Sequence, residues 1–146
     1  MTLNQQIWRW FDAGEIREAL DSEGEFVLPD VTYRDQHDQL LVIDQLFDWA
    51  KARSRTSAAA EELQNAIERY ASAGDVMRAA RAILTYLIVQ RDRGETIGVE
   101  PTMLARILAA GVERHPAAVV SDESTRKLVL AVAERIPELK RLLFLP

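Results

Sequence analysis

The sequence predicts an all-α fold: one helical domain over residues 1–146, a bundle of about seven helices arranged as antiparallel helical hairpins. Three observations predict it. Apolar residues recur at helical spacing through most of the chain. Glycine–acid and proline breaks punctuate these stretches where helices would stop and restart. The connections are mostly short, which favours neighbours packed antiparallel. One irregular stretch, Asp21–Asp38, leaves room for one or two very short strands near 26–33, at Phe26-Val27-Leu28 before Pro29 and at Val31-Thr32-Tyr33. Proline would confine such a strand to an edge. An ordered loop with two apolar anchors fits the same residues.

Each element has its own signature. Thr2 or Asn4 would cap a first helix whose apolar face is Leu3, Ile7, Trp10 and Phe11, and Gly14 would end it. Glu15–Leu20 would form a short second helix. A long helix from about Gln36 to Ser54 has two adjoining stripes, Leu40/Ile43/Phe47/Ala50 and Val42/Leu46/Trp49, so it should be mostly buried. After the break at Ser54–Ser57, Thr56 or Ser57 would cap a helix running to about Ala73 with Leu63, Ala66, Ile67 and Tyr70 inward. Gly74 would end that helix and Asp75 cap the next. Val76 to about Arg93 is apolar nearly all round in its second half and belongs at the bundle centre. A loop with Gly94 and Gly98 leads to Pro101, which suits a first helical position. The helix that follows places Met103, Leu104, Ile107 and Leu108 inward and closes at Gly111 or at His115-Pro116. Ser121-Asp122-Glu123 starts another helix, lined by Leu128, Val129, Val132 and Ile136, and Pro137 restarts the chain into a last one. Its apolar end, Leu142–Pro146, should dock on the body.

Composition narrows the function classes. The chain of 146 residues is 48% hydrophobic and 28% charged, ordinary for a globular domain. At that size it can bury about 68–70% of its unfolded surface and needs no covalent staple. It has no cysteine, which excludes thiol catalysis, disulfides and cysteine zinc sites. A net charge of −5 argues against nucleic acid as a partner and fits a basic face on a protein better. Neither a signal peptide nor a run of roughly 20 apolar residues is visible, so the expectation is a cytoplasmic chain with no membrane partner. Arg and Ala richness without Cys fits a bacterial chain from a GC-rich genome.

Two stretches share one formula. Trp10-Phe11-Asp12-Ala13-Gly14-Glu15-Ile16 and Tyr70-Ala71-Ser72-Ala73-Gly74-Asp75-Val76 each run aromatic, two residues, Ala-Gly, acid, β-branched, with Ala19 and Ala79 three residues beyond. The spacing of Tyr70, Gly74, Asp75 and Ala79 resembles the turn of a tetratricopeptide hairpin over about ten residues. The family's Trp and Leu-Gly positions fall on Leu63, Ala66 and Ile67, and its closing Pro falls on Arg91. The separation from Gly14 to Gly74 is 60 positions, against a period of about 34 for that family. Shared turn chemistry explains the pair: a Gly beyond one helix, an acid opening the next, and an Ala that lets the arms approach. Gly14, Gly74 and Asp75 are therefore read as structural turn residues.

The candidate chemistry is sparse. Tyr33, Asp35, His37 and Asp38 form the densest polar cluster and could bind a metal or pair as acid and base. The alternative is a helix cap with His37 facing solvent. His115, before Pro116, suits the carbonyl end of a helix. Glu15/Glu18 and Glu61/Glu62 are explained by helix first turns. Arginines gather at Lys51–Arg55, at Arg78/Arg81 and at Arg91–Arg93 among interleaved acids. Trp8 and Trp10 point in different directions on one helix, so Trp8 is a candidate partner-binding anchor. The leading expectation is a non-catalytic protein-binding domain of an inhibitor, immunity or regulatory-adaptor kind, with no cofactor and no metal. Its partner would be another protein, a basic one on charge grounds, and a homo-oligomer is compatible. The alternative is a small enzyme or a ligand- or metal-binding protein using Asp35, His37 and Asp38.

Overall fold

Helical periodicity and caps build the body of the protein. The computed structural model describes residues 36–144, with the side chains of 36–39, 41, 53 and 144 outside that description. Among the described residues there are seven helices and no strand: α1 (Gln36–Arg53), α2 (Thr56–Ser72), α3 (Val76–Arg93), α4 (Pro101–Arg114), α5 (Ala117–Val120), α6 (Glu123–Arg135) and α7 (Pro137–Phe144). The expected first two helices, the turn at Gly14, Trp8, and the strands near 26–33 lie outside the described residues.

The fold is all-α, and α3 is its centre. It packs against α1, α2, α4 and α6 and touches α5. Its buried residues run from Val76, Ala79 and Ala80 through Ala82, Ile83, Leu84, Tyr86 and Val89. The three alanines let neighbouring helices close in, and Tyr86 fills the far half. The Tyr86 hydroxyl bonds the Thr96 hydroxyl at 3.1 Å and donates to the Val99 carbonyl at a long 3.5 Å. Burial, first of all, raises its pKa above the ordinary value of 10.0, outweighing the opposing hydrogen bonds. Both expected stripes of α1 are inside: Ile43, Phe47 and Ala50 beside Val42, Leu46 and Trp49. A second group of contacts joins α2 to α4, α4 to α7 and α6 to α7. Leu104, Leu108, Val129, Val132, Ile136 and Leu139 carry the core to that end. Leu139 docks the last helix; of the apolar end expected to dock, Leu143 packs against the core, Leu142 stays 37% exposed, and the Phe144 side chain and residues 145–146 lie outside the description.

The ends of the helices follow local chemistry. Asp75 caps α3 by accepting from the Arg78 N–H at 3.2 Å and pairs with the Arg78 guanidinium at 2.7 Å. Gly94 ends α3 in the left-handed region, at φ 66°. Pro101 is the first residue of α4. Asp122 caps α6, accepting from the Ser124 N–H and the Thr125 hydroxyl; the Thr125 bond foremost holds its carboxyl below the usual carboxylate range.

Four details differ from the sequence expectation. Arg55, not Thr56 or Ser57, stands at the cap of α2 and makes no side-chain cap bond. Arg55 instead stacks over the Trp49 ring at 5.9 Å, which fixes the α1–α2 turn from the other side. Because α2 starts at Thr56, Glu61 and Glu62 fall in its second turn, beyond the reach of the first free N–H groups. Of the two closing points the sequence offered for α4, His115-Pro116 is the one used, and Gly111 lies buried inside the helix. Leu40 and Met103, expected inward, are 36% and 38% exposed; Met103 shares the edge of the buried face with the half-buried Ile107, while Leu104 beside it is fully buried. Finally, His115-Pro116 leads into the one-turn helix α5, which apolar periodicity did not mark.

Candidate functional site

The polar cluster singled out in the sequence is only partly placed. Tyr33 and Asp35 lie outside the described residues. His37 and Asp38 fall in the first turn of α1, and their side chains are outside the description. Among the described residues no group of three His, Asp or Glu side chains is placed to hold a metal ion. No described helix is long and apolar enough to cross a membrane.

Several members of the arginine groups of the sequence are tied to neighbouring carboxylates. Arg93, 18% exposed, reaches Asp44 at 2.9 Å and Asp48 at 2.8 Å on α1, and Glu95 at 3.3 Å beyond its own helix. It also donates to the Asp44 carbonyl and covers the Phe47 ring at 5.5 Å. Burial alone would lower its pKa. The bonds to Asp48 and Asp44 and their charges outweigh that and hold it above the ordinary arginine value. Arg78 is held by Asp75, Arg91 by Asp92, and Lys51 by Glu95.

Three of the cations without an ion pair border one groove. A groove runs between α2 and α4, with a cavity of about 210 Å3 lined by Glu68, Ala71, Ser72, Arg106, Ile107, Ala110, Gly111 and Arg114. It continues along α2 into an open hollow at Asn65, Glu68, Arg69 and Ser72. Arg69, Arg106 and Arg114 are all exposed, and none forms an ion pair or side-chain hydrogen bond among the described residues. Glu68 is the one carboxylate lining the groove, and it too is unpaired.

Helix contact shapes this groove from below. A Cβ on Gly111 would stand 2.9 Å from the Ala71 Cβ and 3.2 Å from the Ala71 carbonyl oxygen. The missing side chain is what lets α4 approach α2 so closely, and the Ala71–Gly111 contact becomes the floor. At the end of the groove the half-buried His115 ring packs against Gly74, whose φ is +86°. Its Nε2–H donates to the Ser72 carbonyl at 3.3 Å, which sets the tautomer. His115 therefore ties the end of α4 to the end of α2, the structural role its position suggested.

Sequence reasoning did not single out these residues. Asn65, Glu68, Arg69 and Ser72 read as the solvent face of α2, and Arg106 and Arg114 as that of α4. Nothing local says that the two faces border one groove; the small pair Ala71 and Gly111 is the only trace of close approach. The charge balance also divides. Over residues 36–146 basic and acidic side chains are equal in number, so the net charge of −5 resides in the first 35 residues. No family model matches the chain, and neither a curated protein nor a solved structure matches it.

Proposed function

We propose that this chain is a non-catalytic protein-binding domain, of the kind that serves as an inhibitor, immunity protein or regulatory adaptor in the cytoplasm. One observation carries the reading: a groove floored by close helix contact between α2 and α4 presents Asn65, Arg69, Ser72, Arg106 and Arg114 toward solvent, while Arg78 and Arg93 are held in ion pairs within the body. Side chains with unused donors on a fixed helical frame are suited to recognition, because the frame bears little ordering cost on binding. The concave surface between packed helices is also where bundles commonly place ligand contacts.

The test starts from the full chain as bait in extract of the native host. A captured protein is then purified and mixed with the chain at known concentrations. A complex of fixed stoichiometry in sedimentation is the expected result. Divalent metal raising the melting temperature by several degrees, with the rise abolished by His37→Ala, would instead establish the ligand- or metal-binding alternative at Asp35, His37 and Asp38.

A further inference from the structure

We infer that the α2–α4 groove receives an extended acidic segment of the partner protein, with two carboxylates about four residues apart and an aliphatic side chain between them. The inference rests on the protein-binding reading above and specifies the partner's chemistry at this groove, whose local charge is opposite to the chain's net charge of −5 from which a basic partner was expected.

Charge is the first argument. Three unpaired guanidinium groups against one carboxylate leave the groove positive, on a body of residues 36–146 whose charges balance as a whole. Guanidinium groups favour carboxylates through paired N–H donors at matched spacing. Length is the second. Arg106 and Arg114 are eight residues apart on α4, about 12 Å along a helix axis. Two acids at matched spacing let both guanidinium groups bind in extended conformations, where one small anion would require them to fold toward each other. An extended chain advances about 3.3 Å per residue, so acids at positions i and i+4 span that distance. The third argument is the floor. Between the two arginines it consists of Ile107, Ala110, Gly111 and Ala71, an apolar strip with a cavity of about 210 Å3, enough for one aliphatic side chain. Asn65 and Ser72 along α2 supply donors and acceptors for the backbone of the segment.

The experiment uses the full chain and the capped peptide Gly-Asp-Ser-Leu-Ser-Asp-Gly, fluorescently labelled, with anisotropy as the readout. The controls are the same peptide with Asn for both Asp, and inorganic phosphate as competitor. The expected result is saturable binding that weakens about tenfold for the Asn peptide and falls as salt is raised. Arg106→Gln and Arg114→Gln should each weaken it about fivefold, and Arg126→Gln, at an exposed cation on α6 outside the groove, less than about twofold. All three positions are exposed, so the variants should keep the parent melting temperature. Equal loss in Arg126→Gln, equal binding of the Asn peptide, or full competition by phosphate at equal concentration would overturn the inference. So would a dimer in sedimentation that dissociates in Arg106→Gln, since a second copy would then cover the groove. If the purified partner complex forms and is indifferent to both groove variants, the binding function stands and this assignment falls. If no partner complex forms, the binding function itself is lost.

Discussion

Gly74→Ala should cost more than its backbone alone explains. Gly74 has φ +86°, a conformation that costs a residue with a Cβ about 1 kcal/mol. A Cβ there would also stand 3.2 Å from His115 Nδ1 and 3.4 Å from its Cγ. The ring must yield by a few tenths of an ångström, and its bond to the Ser72 carbonyl, already 3.3 Å, would weaken. Losing much of that bond adds about 0.5–1 kcal/mol. The expected total is about 1.5–2 kcal/mol in urea denaturation. In a His115→Ala background the contact is gone and only the backbone part, about 1 kcal/mol, should remain. Gly94→Ala is the internal control: φ is +66°, nothing lies within 4 Å, and the loss should again be about 1 kcal/mol. Equal losses for Gly74→Ala with and without His115 would refute the contact. An unchanged midpoint would refute the left-handed turn itself.

Four further expectations follow from the same geometry. Gly111→Ala gains about 1 kcal/mol of helix propensity but forces α4 off α2 at about 1–3 kcal/mol, so a net loss is expected, partly recovered by adding Ala71→Gly; a net gain would show that the helices part freely. Arg93→Lys gives up the fork that holds Asp44 and Asp48 together and should cost about 1–2 kcal/mol at low salt, with the gap narrowing as salt rises; a variant equal to the parent at low salt would contradict this. Tyr86→Phe should lose about 1 kcal/mol at neutral pH. It should also flatten the alkaline limb: the native phenol keeps its proton past 10.0 while the unfolded one ionises, so the parent loses stability as pH rises above that value, and an unchanged limb would count against burial as the cause. Ser54, a non-glycine residue at φ 52°, should be improved by Ser54→Gly by about 0.5–1 kcal/mol, read as a raised denaturation midpoint.

How much of this was legible beforehand depends on the range of the interaction involved. The limits of α3 could be read from Asp75 and the Gly94 loop, and the start of α4 from Pro101, because caps and φ preferences act within four residues. The inward faces of α1, α2 and α6 could be read from spacing, because periodicity is also local. The cap of α2 could not: Arg55 holds the turn by lying on Trp49, a contact across it. Spacing also misplaced Leu40 and Met103; Met103 stands at the edge of a buried face whose width is set by the neighbouring helices. The candidate site was the least legible part. Its arginines belong to helices about forty residues apart in the chain, and nothing in either stretch marks the other.

The sequence by itself determined the helical class, the positions of α1 to α4, and two turn residues with defined conformations, Gly74 and Asp75. It did so because hydrogen-bonding caps, glycine's missing Cβ and the 3.6-residue repeat are properties of short segments. Only the tertiary structure decided that α4 lies on α2 through Gly111 and Ala71, that Gly74 must also make room for His115, and that Arg93 is consumed by α1 while Arg69, Arg106 and Arg114 are left facing one groove. Those outcomes turn on which faces meet, and helix pairing is settled by the summed packing of the whole core.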